Sequence, residues 1–398
     1  MSRLEELIQQ YCHDGVEYKK LGEVLGVNRG RRLTKMQLSD DGQYYVYHGS
    51  KDTPLGKYSQ FNVKGNTTIV VNTGGIGGVK FCDDDFWCSD GSFWIGHSDL
   101  FNDKFVYYYL SPLEPYFASQ KRVGGVPTID RSVVENVEIP VPPLPVQEEI
   151  VRILDNFAEL QAELQAELQK RLQQYNYYRD NLLTFEGRTD VEWKKLGDVF
   201  DTTTDFTAAG SFADIAANVV YNRNKDYALL VRTTDIKSNF TKEDKVYISQ
   251  SAFEYLWRVR LDKSSIILPN IGANCGEVHF IKPENLPMQN CALGPNALLL
   301  RTEHYENRFY YHYFNITTFQ KELRKIISPG GQTKFNKTEL RKISIPVPTI
   351  AEQQKIVDIL DRFDALTTDI TAGLPAEIEA RRKQYEYYRD KLLTFKKK

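Results

Sequence analysis

The sequence contains little that would support extracellular, membrane-bound or metal-dependent chemistry. Five cysteines occur in 398 residues, and no two stand in a Cys-x-x-Cys spacing. Cys82, Cys88 and His97 fit no zinc spacing, so we expect reduced thiols in a cytoplasmic protein and no bound metal. No run of 18 apolar residues exists, as a membrane helix requires. The first residues, MSRLEELIQQYC, are charged and amphipathic, unlike a signal peptide.

The chain also has almost no excess of charge of either sign. Its 51 basic and 53 acidic residues give a formal net charge of −2. A protein that binds DNA alone usually carries a basic surplus. This chain therefore needs local basic patches, or a partner that brings positive charge, if it binds nucleic acid. Its length predicts two domains with connections rather than one core.

The motifs of DNA-modifying enzymes are missing as well. An adenine methyltransferase needs an Asn/Asp-Pro-Pro-aromatic loop, and VPPLP (141–145) has neither the amide or acid nor the aromatic residue. The glycines of VNTGGIGGVK (71–80) lack the spacing of a nucleotide-binding phosphate loop. DGVEYK (14–19) and DVEWK (190–194) resemble a metal-dependent nuclease motif, but their acids are too close together. We therefore expect no catalytic residues and no cofactor.

What the sequence does contain is a long internal repeat. Three segments recur in the same order: VEYKKLGEV (16–24) as VEWKKLGDV (191–199), IPVPPLPVQEEIVRILDNF (139–157) as IPVPTIAEQQKIVDILDRF (345–363), and QYNYYRDNLLTF (174–185) as QYEYYRDKLLTF (384–395). The intervening residues 25–120 and 200–325 hardly match. One weak match, NTGGIGG (72–78) with NIGANCG (270–276), keeps Asn, Gly and Gly in register. A duplicated frame with two different inserts indicates two related modules that recognise different targets.

The repeated segments predict long helices. Residues 146–185 contain neither Gly nor Pro, and Pro145 suits a first helical turn. Apolar residues recur there at steps of three or four: Ile150, Ile153, Phe157, Leu160, Leu164, Leu168, Leu172, Tyr175, Tyr178 and Leu182. A helix of this length with one apolar stripe needs a partner.

The second repeat can supply that partner. Thr349 and Glu352 form a Thr-x-x-Glu capping box at its start. Its own stripe comprises Ile356, Ile359, Phe363, Leu366, Ile370, Leu374, Ile378, Tyr385, Tyr388 and Leu392. Gly373 and Pro375 interrupt it, so we expect a kink near Pro375.

The first predicted helix contains three copies of one tetrapeptide, AELQAELQAELQ (158–169). Such a stretch is a good helix former in any context. It can also act as a ruler, because each four-residue unit lengthens a helix by about 6 Å.

With these landmarks the chain resembles the specificity (S) subunit of type I restriction–modification systems, often called HsdS. The resemblance covers the whole chain and rests on the proline-rich helix starts, the two QY-x-YYRD segments and the duplicated V-E-Tyr/Trp-K-K-L-G openings. It implies an α+β fold with two target-recognition domains, 1–145 and 188–348. Two long antiparallel helices, 146–187 and 349–398, form a coiled coil, and the halves are related by a pseudo-twofold axis.

The resemblance also implies the partners. The S subunit reads a split site in double-stranded DNA, one half with each domain, and its helices set the gap. Two methyltransferase (M) subunits dock on it to methylate adenine, and two restriction (R) subunits can join to cleave DNA. The chain itself is then a non-catalytic adaptor with no membrane partner.

Residues that contact DNA are expected in loops of the variable regions. In the first region they are Arg29, Arg31, Arg32, Lys35, His48, Ser50, Lys51, Thr73, Gly74, Gly75, Lys80, Lys121 and Arg122. In the second they are Arg232, Thr233, Lys237, Asn270, Asn274, Arg324, Lys325, Gln332 and Lys334. Each is equally compatible with a solvated charge run or a satisfied turn.

The repeated QY-x-YYRD segments supply candidate contacts to the M subunits: Tyr175, Tyr178, Arg179, Tyr385, Tyr388 and Arg389. These residues can equally pack the two helices together. Two other functions remain open from the residues alone. One is a duplicated coiled-coil scaffold that touches no DNA, and the other is a standalone nuclease.

Overall fold

The computed structural model describes residues 2–122, 125–328, 333–368 and 373–398. They divide into two compact units. Unit 1 comprises Met1–Ala166 and Glu377–Lys398, and unit 2 comprises Glu167–Ala376. Most of the first repeat, up to Ala166, therefore shares one unit with the end of the chain.

The elements of the first repeat follow one another along residues 3–182. They are α1 (Arg3–Tyr11), β1 (Tyr18–Lys20), α2 (Leu21–Val24), β2 (Val27–Arg29), β3 (Tyr44–Tyr47), β4 (Gly56–Tyr58), β5 (Thr67–Val71), β6 (Val79–Cys82), β7 (Trp87–Cys88), β8 (Ser92–Ile95), α3 (Asp103–Leu110), α4 (Glu114–Ser119), α5 (Arg131–Glu135), β9 (Glu138–Pro140) and α6 (Leu144–Leu182).

The second repeat begins after α6. Its elements are β10 (Glu192–Lys195), α7 (Leu196–Val199), β11 (Thr202–Asp205), α8 (Phe212–Asn218), β12 (Ala228–Val231), α9 (Thr233–Lys237), β13 (Tyr247–Ile248), α10 (Gln250–Tyr255), β14 (Ser265–Pro269), β15 (His279–Ile281), β16 (Cys291–Leu293), β17 (Ala297–Arg301), α11 (Asn307–Phe314), α12 (Thr317–Ile326), α13 (Lys337–Leu340), β18 (Ser344–Val347), α14 (Ile350–Thr368) and α15 (Leu374–Leu392).

The strands of the two units have the same topology. In unit 1 the sheets have the orders β2-β8-β5-β6, β4-β3-β7 and β1-β9. In unit 2 they are β11-β17-β14-β15, β13-β12-β16 and β10-β18. The only parallel pairs among the described strands, β3 with β7 and β12 with β16, also correspond. The variable regions therefore share a fold although their sequences hardly match.

Buried central strands explain how unlike sequences give one topology. Every residue of β5 (TTIVV) and of β14 (SIILP) is buried, so both strands are covered on two faces. The core of unit 1 includes Phe105 and Phe117, and that of unit 2 includes Phe309 and Phe314. The fold constrains these positions to be apolar and leaves the loops between strands free to differ.

The proline-rich motif before each long helix clamps that helix to its own unit. Gln147 is fully buried; its amide nitrogen donates to Pro142 O (2.7 Å), and its amide oxygen accepts from Asn102 N (2.9 Å). Gln353 does the same with Pro348 O (2.8 Å) and Glu306 N (3.0 Å). The duplicated motif thus fixes where each helix begins.

The long helices pair in the antiparallel sense. Near the start of α6, Phe157 stacks on Tyr388 of α15, with ring centroids 5.7 Å apart. Near its end, Tyr178 stacks on Phe363 of α14 at 5.6 Å. The prediction that the second repeat supplies the apolar partner is confirmed by these contacts.

The predicted stripes need correction in their details. Next to Ile150, the side chains of Val151 and Leu154 are buried, and Val357 and Leu360 are buried next to Ile356. Leu160, Ile359 and Leu366, by contrast, are exposed. At the start of each long helix the adjacent globular core adds a second buried face, which a one-stripe pattern does not anticipate.

The start of α14 is capped on one side only. Glu352 N donates to Thr349 Oγ1 (3.3 Å), as predicted. The Glu352 carboxylate instead accepts hydrogen bonds from Arg188 (2.5 and 3.3 Å), so the reciprocal bond of a capping box is replaced by an ion pair. Pro375 is the second residue of α15, so the second stripe is carried by two helices. Ile370 and its neighbours 369–372 lie outside the described residues.

The end of the chain completes unit 1. Val16 N donates to Lys396 O (2.9 Å), and Lys398 N donates to Val16 O (3.0 Å). Gly15 has φ +95°, and a Cβ there would lie 2.5 Å from Lys396 O, so this close approach requires glycine.

No helix within the described ranges has both the length and the apolar character needed to cross a membrane.

Candidate nucleic-acid interface

Four loops meet at one edge of the sheets in each unit. In unit 1 they are residues 48–53, 72–78, 89–91 and 120–130, which we call loop edge 1, described except for 123 and 124. In unit 2 they are residues 232–239, 270–276, 294–296 and 326–336, which we call loop edge 2, described except for 329–332. All but the third loop of each edge carry residues predicted from sequence to contact DNA.

Backbone hydrogen bonds hold loop edge 1 together. They are Ser89 N to Tyr47 O (3.0 Å), Asn72 N to Gly91 O (3.0 Å), Gly77 N to Val71 O (2.8 Å), Ile129 N to Asn72 O (3.1 Å) and Arg122 N to Thr128 O (2.9 Å). These bonds connect residues 72–78, 89–91 and 120–130 to one another. The bond to Tyr47 O attaches them to the residue that precedes loop 48–53.

Loop edge 2 repeats this set of bonds. They are Gly294 N to Val231 O (2.8 Å), Asn270 N to Asn296 O (3.0 Å), Gly276 N to Pro269 O (2.9 Å), Phe335 N to Asn270 O (3.0 Å) and Ser328 N to Lys334 O (2.9 Å). The two edges are therefore one backbone scaffold with different side chains. His48 corresponds to Arg232, Thr73 to Ile271, and Thr128 to Lys334.

The weak glycine match between the repeats marks this scaffold. Gly74 and Gly272 have φ +83° and +95°, a backbone region that favours glycine. A Cβ on Gly74 would lie 2.7 Å from Gly49 O, so the first two loops touch there. The register needs one correction: the backbone bonds pair Gly77, rather than Gly78, with Gly276, because the second loop is one residue longer.

Several predicted residues come together in loop edge 1. His48 Nδ1 lies 3.1 Å from Ser89 Oγ and accepts from Gly91 N at 3.2 Å. Thr73 Oγ1 donates to Thr128 Oγ1 at 3.3 Å. Gly75 N donates to Gly49 O, next to Ser50. A carboxylate oxygen of Asp90 also lies 3.4 Å from Nδ1, so the contacts of the His48 ring within the edge are made through that nitrogen.

The basic loop after β2 lies beside this edge. Arg31 N donates to Cys88 O (2.9 Å), and Arg31 O accepts from Trp87 Nε1 (2.7 Å), so the backbone of the loop is anchored. Arg29, Arg31, Arg32 and Lys35 are all exposed, and none forms an ion pair with a described residue. Anchored backbone with unpaired guanidinium groups suits contact with DNA.

Two predicted lysines of unit 1 already have side-chain partners within the unit. Lys51 Nζ donates to both carboxylate oxygens of Glu114 (2.7 Å each), and Lys80 Nζ lies 5.3 Å from the ring centre of Tyr47. In the remaining loop Lys121 is exposed, whereas Arg122 pairs with Asp130. The first two lysines line a cavity of about 560 Å³ together with Asp155.

In unit 2 the predicted residues are more strongly engaged. Arg232 binds the buried carboxylate of Asp235 through Nε (2.9 Å) and Nη2 (2.6 Å), and these hydrogen bonds raise the pKa of Arg232. Arg232 thereby fixes the start of α9, whose first residue is Thr233. Lys237 Nζ donates to Asn274 Oδ1 (3.1 Å) and to Glu277 (2.7 Å), which brings two of the predicted residues together.

The remaining candidates of unit 2 divide between the edge and α12. Asn270 Nδ2 donates to Phe335 O (3.3 Å), and Lys334 is exposed opposite Ile271. Arg324 and Lys325 are exposed in the last turn of α12. Gln332 lies outside the described residues.

Sequence reasoning missed the third loop of each edge. Residues 89–91 and 294–296 follow short strands and carry no basic or glycine-rich pattern, so only strand pairing brings them here. It also missed a cavity of about 520 Å³ at loop edge 2, lined in part by Phe206, Phe212 and Asn270.

The predicted partner residues mostly pack the helices. Tyr175 is 8% exposed, and its hydroxyl lies 3.2 Å from His312 Nδ1. The guanidinium groups of Arg179 and Arg389 bind Asp180 and Asp390 (2.7 Å each) and lie over the rings of Tyr175 and Tyr385. As reported above, Tyr178 and Tyr388 stack on Phe363 and Phe157. Tyr178 and Tyr388 remain 41% and 38% exposed, and their neighbours Tyr177 and Tyr387 are 66% and 62% exposed, so the outward face is formed mainly by the neighbours.

Burial disfavours the thiolate form of the two cysteines considered above as zinc ligands. Burial raises the pKa of Cys82 to about 12 and also raises that of Cys88. His97 is held by Asp103 (2.9 Å) and Thr67 (3.0 Å). In the part of the chain that the structure describes, no group of three or more His, Cys, Asp or Glu could hold a metal ion.

Comparison with known proteins agrees with this architecture. Residues 13–174 and 189–380 each match the family described as type I restriction modification DNA specificity domain. A putative type I restriction enzyme specificity subunit of Haemophilus influenzae is 30% identical over 96% of both chains. A type I restriction enzyme specificity subunit of Escherichia coli is 36% identical over 74% of this chain and 71% of its own.

A crystal structure of the type I restriction–modification S subunit from M. genitalium shares the fold. Its TM-score is 0.56 at 17% identity, with 95% of each chain covered. The chain thus belongs to the type I restriction–modification DNA specificity subunits, a non-catalytic family, and carries two copies of the specificity domain.

Proposed function

We propose that this chain directs a type I complex to a split, asymmetric DNA site, and that each loop edge reads one half. The observation that carries this proposal is that one backbone scaffold occurs twice with different side chains. A common scaffold presents its loops to DNA in the same way, and different side chains contact different bases.

The two edges offer different chemistry for base contact. Loop edge 1 has the exposed arginines 29, 31 and 32 nearby, and Arg is suited to bidentate contact with guanine. Loop edge 2 has Asn270, Asn274 and the exposed Lys334, and Asn is suited to adenine. The two half-sites should therefore differ in sequence, so the complete site is not a palindrome.

In this proposal the long helices set the spacing between the half-sites. The domains divide as 1–145 and 188–348 for recognition and 146–187 and 349–398 for spacing. Helix α6 is continuous over 39 residues and includes the AELQ units, so its length is a fixed quantity. A rigid element between two DNA-binding modules sets half-site separation geometrically.

The partners we propose are double-stranded DNA and two methyltransferase subunits in the cytoplasm, with two restriction subunits as further members of the complex. The exposed Tyr177 and Tyr387 occupy the same position in the two repeats, as two copies of one partner would require. A chain with net charge −2 also gains from a partner that supplies positive charge.

Co-expression with a methyltransferase subunit of the same type I system tests the proposal. Mapping of methylated adenines should give one bipartite motif whose halves differ and are separated by a constant number of unspecified bases. A continuous motif, or two identical halves, would contradict the split asymmetric site.

Salt dependence of DNA binding separates this function from that of a scaffold. Binding by the complex should weaken steeply with salt because several phosphate contacts release counterions. A complex that assembles but shows no salt-dependent binding to DNA would favour the scaffold.

A further inference from the structure

The cavity at loop edge 2 occupies the place that the arginine loop takes in unit 1. Strand registers establish this equivalence. Arg29 lies opposite Phe93, which lies opposite Val70; Asp205 lies opposite Leu298, which lies opposite Leu268. Arg29 and Asp205 are therefore the matching ends of matching strands, β2 and β11.

The backbone follows different paths in the two units after these residues. In unit 1 the backbone of Arg31 is hydrogen-bonded to Cys88, as described above, and this loop presents exposed arginine side chains. In unit 2 the chain turns, with Thr207 Oγ1 and Ala208 N donating to Asp205 Oδ1 (2.6 and 3.0 Å), and enters α8. Helix α8 has no α-helical counterpart in the corresponding described residues of unit 1. This insertion creates the cavity.

The cavity is mainly apolar and open at the edge. Phe206, Ile215 and Val219 are buried in its wall, whereas Phe212 is 83% exposed and Tyr221 is half exposed at its rim. Phe212 is the first residue of α8, and reciprocal bonds between Ser211 and Asp214 fix that helix start. Phe212 and Tyr221 therefore place two exposed aromatic rings at the mouth of the apolar cavity.

One exposed lysine lies beside the cavity. Ile271, which lines the cavity, is bridged to the exposed Lys334, whereas Lys337 Nζ lies 3.6 Å from Asp205 and neutralises that lining carboxylate. An apolar wall next to Lys334 suits a base edge beside its phosphate, and this wall is continuous with loop edge 2.

We propose that this cavity receives the 5-methyl edge of a thymine in the half-site read by unit 2. The inference rests on the proposed function. Apolar contact is the means by which proteins recognise that methyl group in the major groove. The matching position in unit 1 offers Arg29 and Arg31 instead, so the same place on the scaffold reads methyl in one half-site and a hydrogen-bonding edge in the other.

A base extruded from the duplex fits the cavity less well. Extrusion breaks base pairing, so the pocket must supply replacement hydrogen bonds. The one carboxylate among the described residues of the cavity wall, Asp205, is already engaged by Thr207 and Ala208 through Oδ1 and by Lys337 through Oδ2. A methyl group makes no such demand.

Thymine-to-deoxyuridine substitution in the methylation motif tests the proposal with the full chain in its DNA-binding complex. Each thymine of both strands is replaced singly, and affinity is measured. At one or two positions of the unit 2 half-site, deoxyuridine should weaken binding by about fourfold, the factor for one methyl-sized group removed from water.

Variants link that effect to the cavity. Phe212→Ala should bind the thymine and deoxyuridine sites equally, whereas Phe212→Leu, which stays apolar, should keep most of the preference. Leu100→Ala, an exposed apolar residue of unit 1, is the control and should retain the full preference. Phe212 is exposed, so its substitution should leave unfolding of the chain unchanged.

The outcomes distinguish failure of the thymine-methyl contact from failure of the proposed function. Sequence-specific binding without a deoxyuridine effect in that half-site, or a half-site without thymine in either strand, overturns only the methyl contact. Permanganate reactivity of a thymine there would indicate an unstacked base and also overturn it. Absence of sequence-specific binding by the complex overturns the proposed function.

Discussion

At the scale of residues, helix α3 in unit 1 and helix α11 in unit 2 each bind a carboxylate, on α6 and on α14 respectively. In unit 1, Lys104 Nζ (3.1 Å) and Tyr108 Oη (2.6 Å) donate to Asp155. In unit 2, Arg308 Nε and His312 Nε2 each lie 2.7 Å from Asp361. Arg308 also binds Asp364. The same attachment is therefore made with different residues, and the difference has consequences for stability.

His312 makes the attachment in unit 2 sensitive to pH. Burial lowers the pKa of His312, and the hydrogen bond to Asp361 opposes this only in part. The folded ring stays neutral where an unfolded histidine, with pKa about 6.5, begins to bind a proton. The stability that depends on a neutral ring is complete above about pH 6.5 and declines as pH falls toward the lowered pKa.

Denaturant unfolding at about pH 5.5 and pH 7.5 measures this effect. His312→Tyr, which copies Tyr108, should reduce the loss of stability at the lower pH. Burial also lowers the pKa of His279. This histidine is present in both proteins, so part of the pH dependence of stability should remain in the variant. An unchanged pH difference in the variant would contradict the role of His312.

The two cations should differ in their contribution to stability. The side chain of Arg308 is 18% exposed, and that of Lys104 is 39% exposed. Arg308→Met removes the guanidinium group from two partly buried carboxylates and should cost about 3 kcal/mol. Lys104→Met removes a solvent-screened pair and should cost about 1 kcal/mol or less. Equal costs in denaturant unfolding would refute this distinction.

At the scale of elements, the repeated Tyr-Tyr pair has one ring that stacks across the helix pair and one ring that is more exposed. Tyr388 stacks on Phe157, whereas Tyr387 is exposed. Tyr388→Ala should destabilise the helix pair by about 2 kcal/mol through lost aromatic packing. Tyr387→Ala should change the free energy of unfolding by about 0.5 kcal/mol or less.

Binding measurements complete that comparison. Under the proposed function, Tyr387→Ala and Tyr177→Ala should each weaken association with the methyltransferase subunit, while unfolding stays as in the parent chain. Loss of stability in the Tyr387 variant and normal association would assign both rings to helix packing.

At the scale of the whole molecule, unit 1 is built from both ends of the chain. The bonds between Val16 and residues 396–398 join the end of α15 to the segment before β1, and Tyr18 Oη donates to Phe395 O (3.1 Å). Deletion of residues 393–398 removes these bonds and the buried Leu393.

That deletion should destabilise unit 1 and spare unit 2. Hydrogen exchange followed by mass spectrometry should show faster exchange in β1 and β9, with β10 and β18 unchanged. A matched pair of point variants serves as control. Gly15→Ala should show the same selectivity, whereas Gly187→Ala, with nothing within 4 Å of the added Cβ, should cost only its backbone strain at φ +83°. Equal loss of protection in both units would contradict the assignment of the chain end to unit 1.

Deletion of one AELQ unit tests the ruler. It shortens α6 by four residues, about 6 Å, and turns its ends about 40° beyond one full turn. Methylome sequencing should show both half-sites unchanged and a spacer shorter by about one to two base pairs. Altered half-site bases with the original spacer would refute the role of α6. Replacement of one AELQ unit by AEAQ, which keeps the length, is the control and should leave the motif unchanged.

The sequence by itself determined the repeat and the long helical segments with their apolar faces, because these depend on local periodicity and on duplicated motifs such as the one that contains Gln147 and Gln353. The antiparallel sense of their pairing was implied by the family resemblance and not by periodicity. It also located most of the loops, since glycines and basic residues mark where a chain turns near a possible anion.

Only the tertiary structure decided which loops share an edge. The bond from Asn72 to Gly91 and its equivalent from Asn270 to Asn296 join residues distant in sequence, and strand pairing rather than composition creates them. Tertiary packing likewise buried Tyr175, turned Tyr387 outward and opened a cavity beside Phe212. Side-chain neighbours depend on which strands and helices pack together, and that information is not contained in any short stretch of the chain.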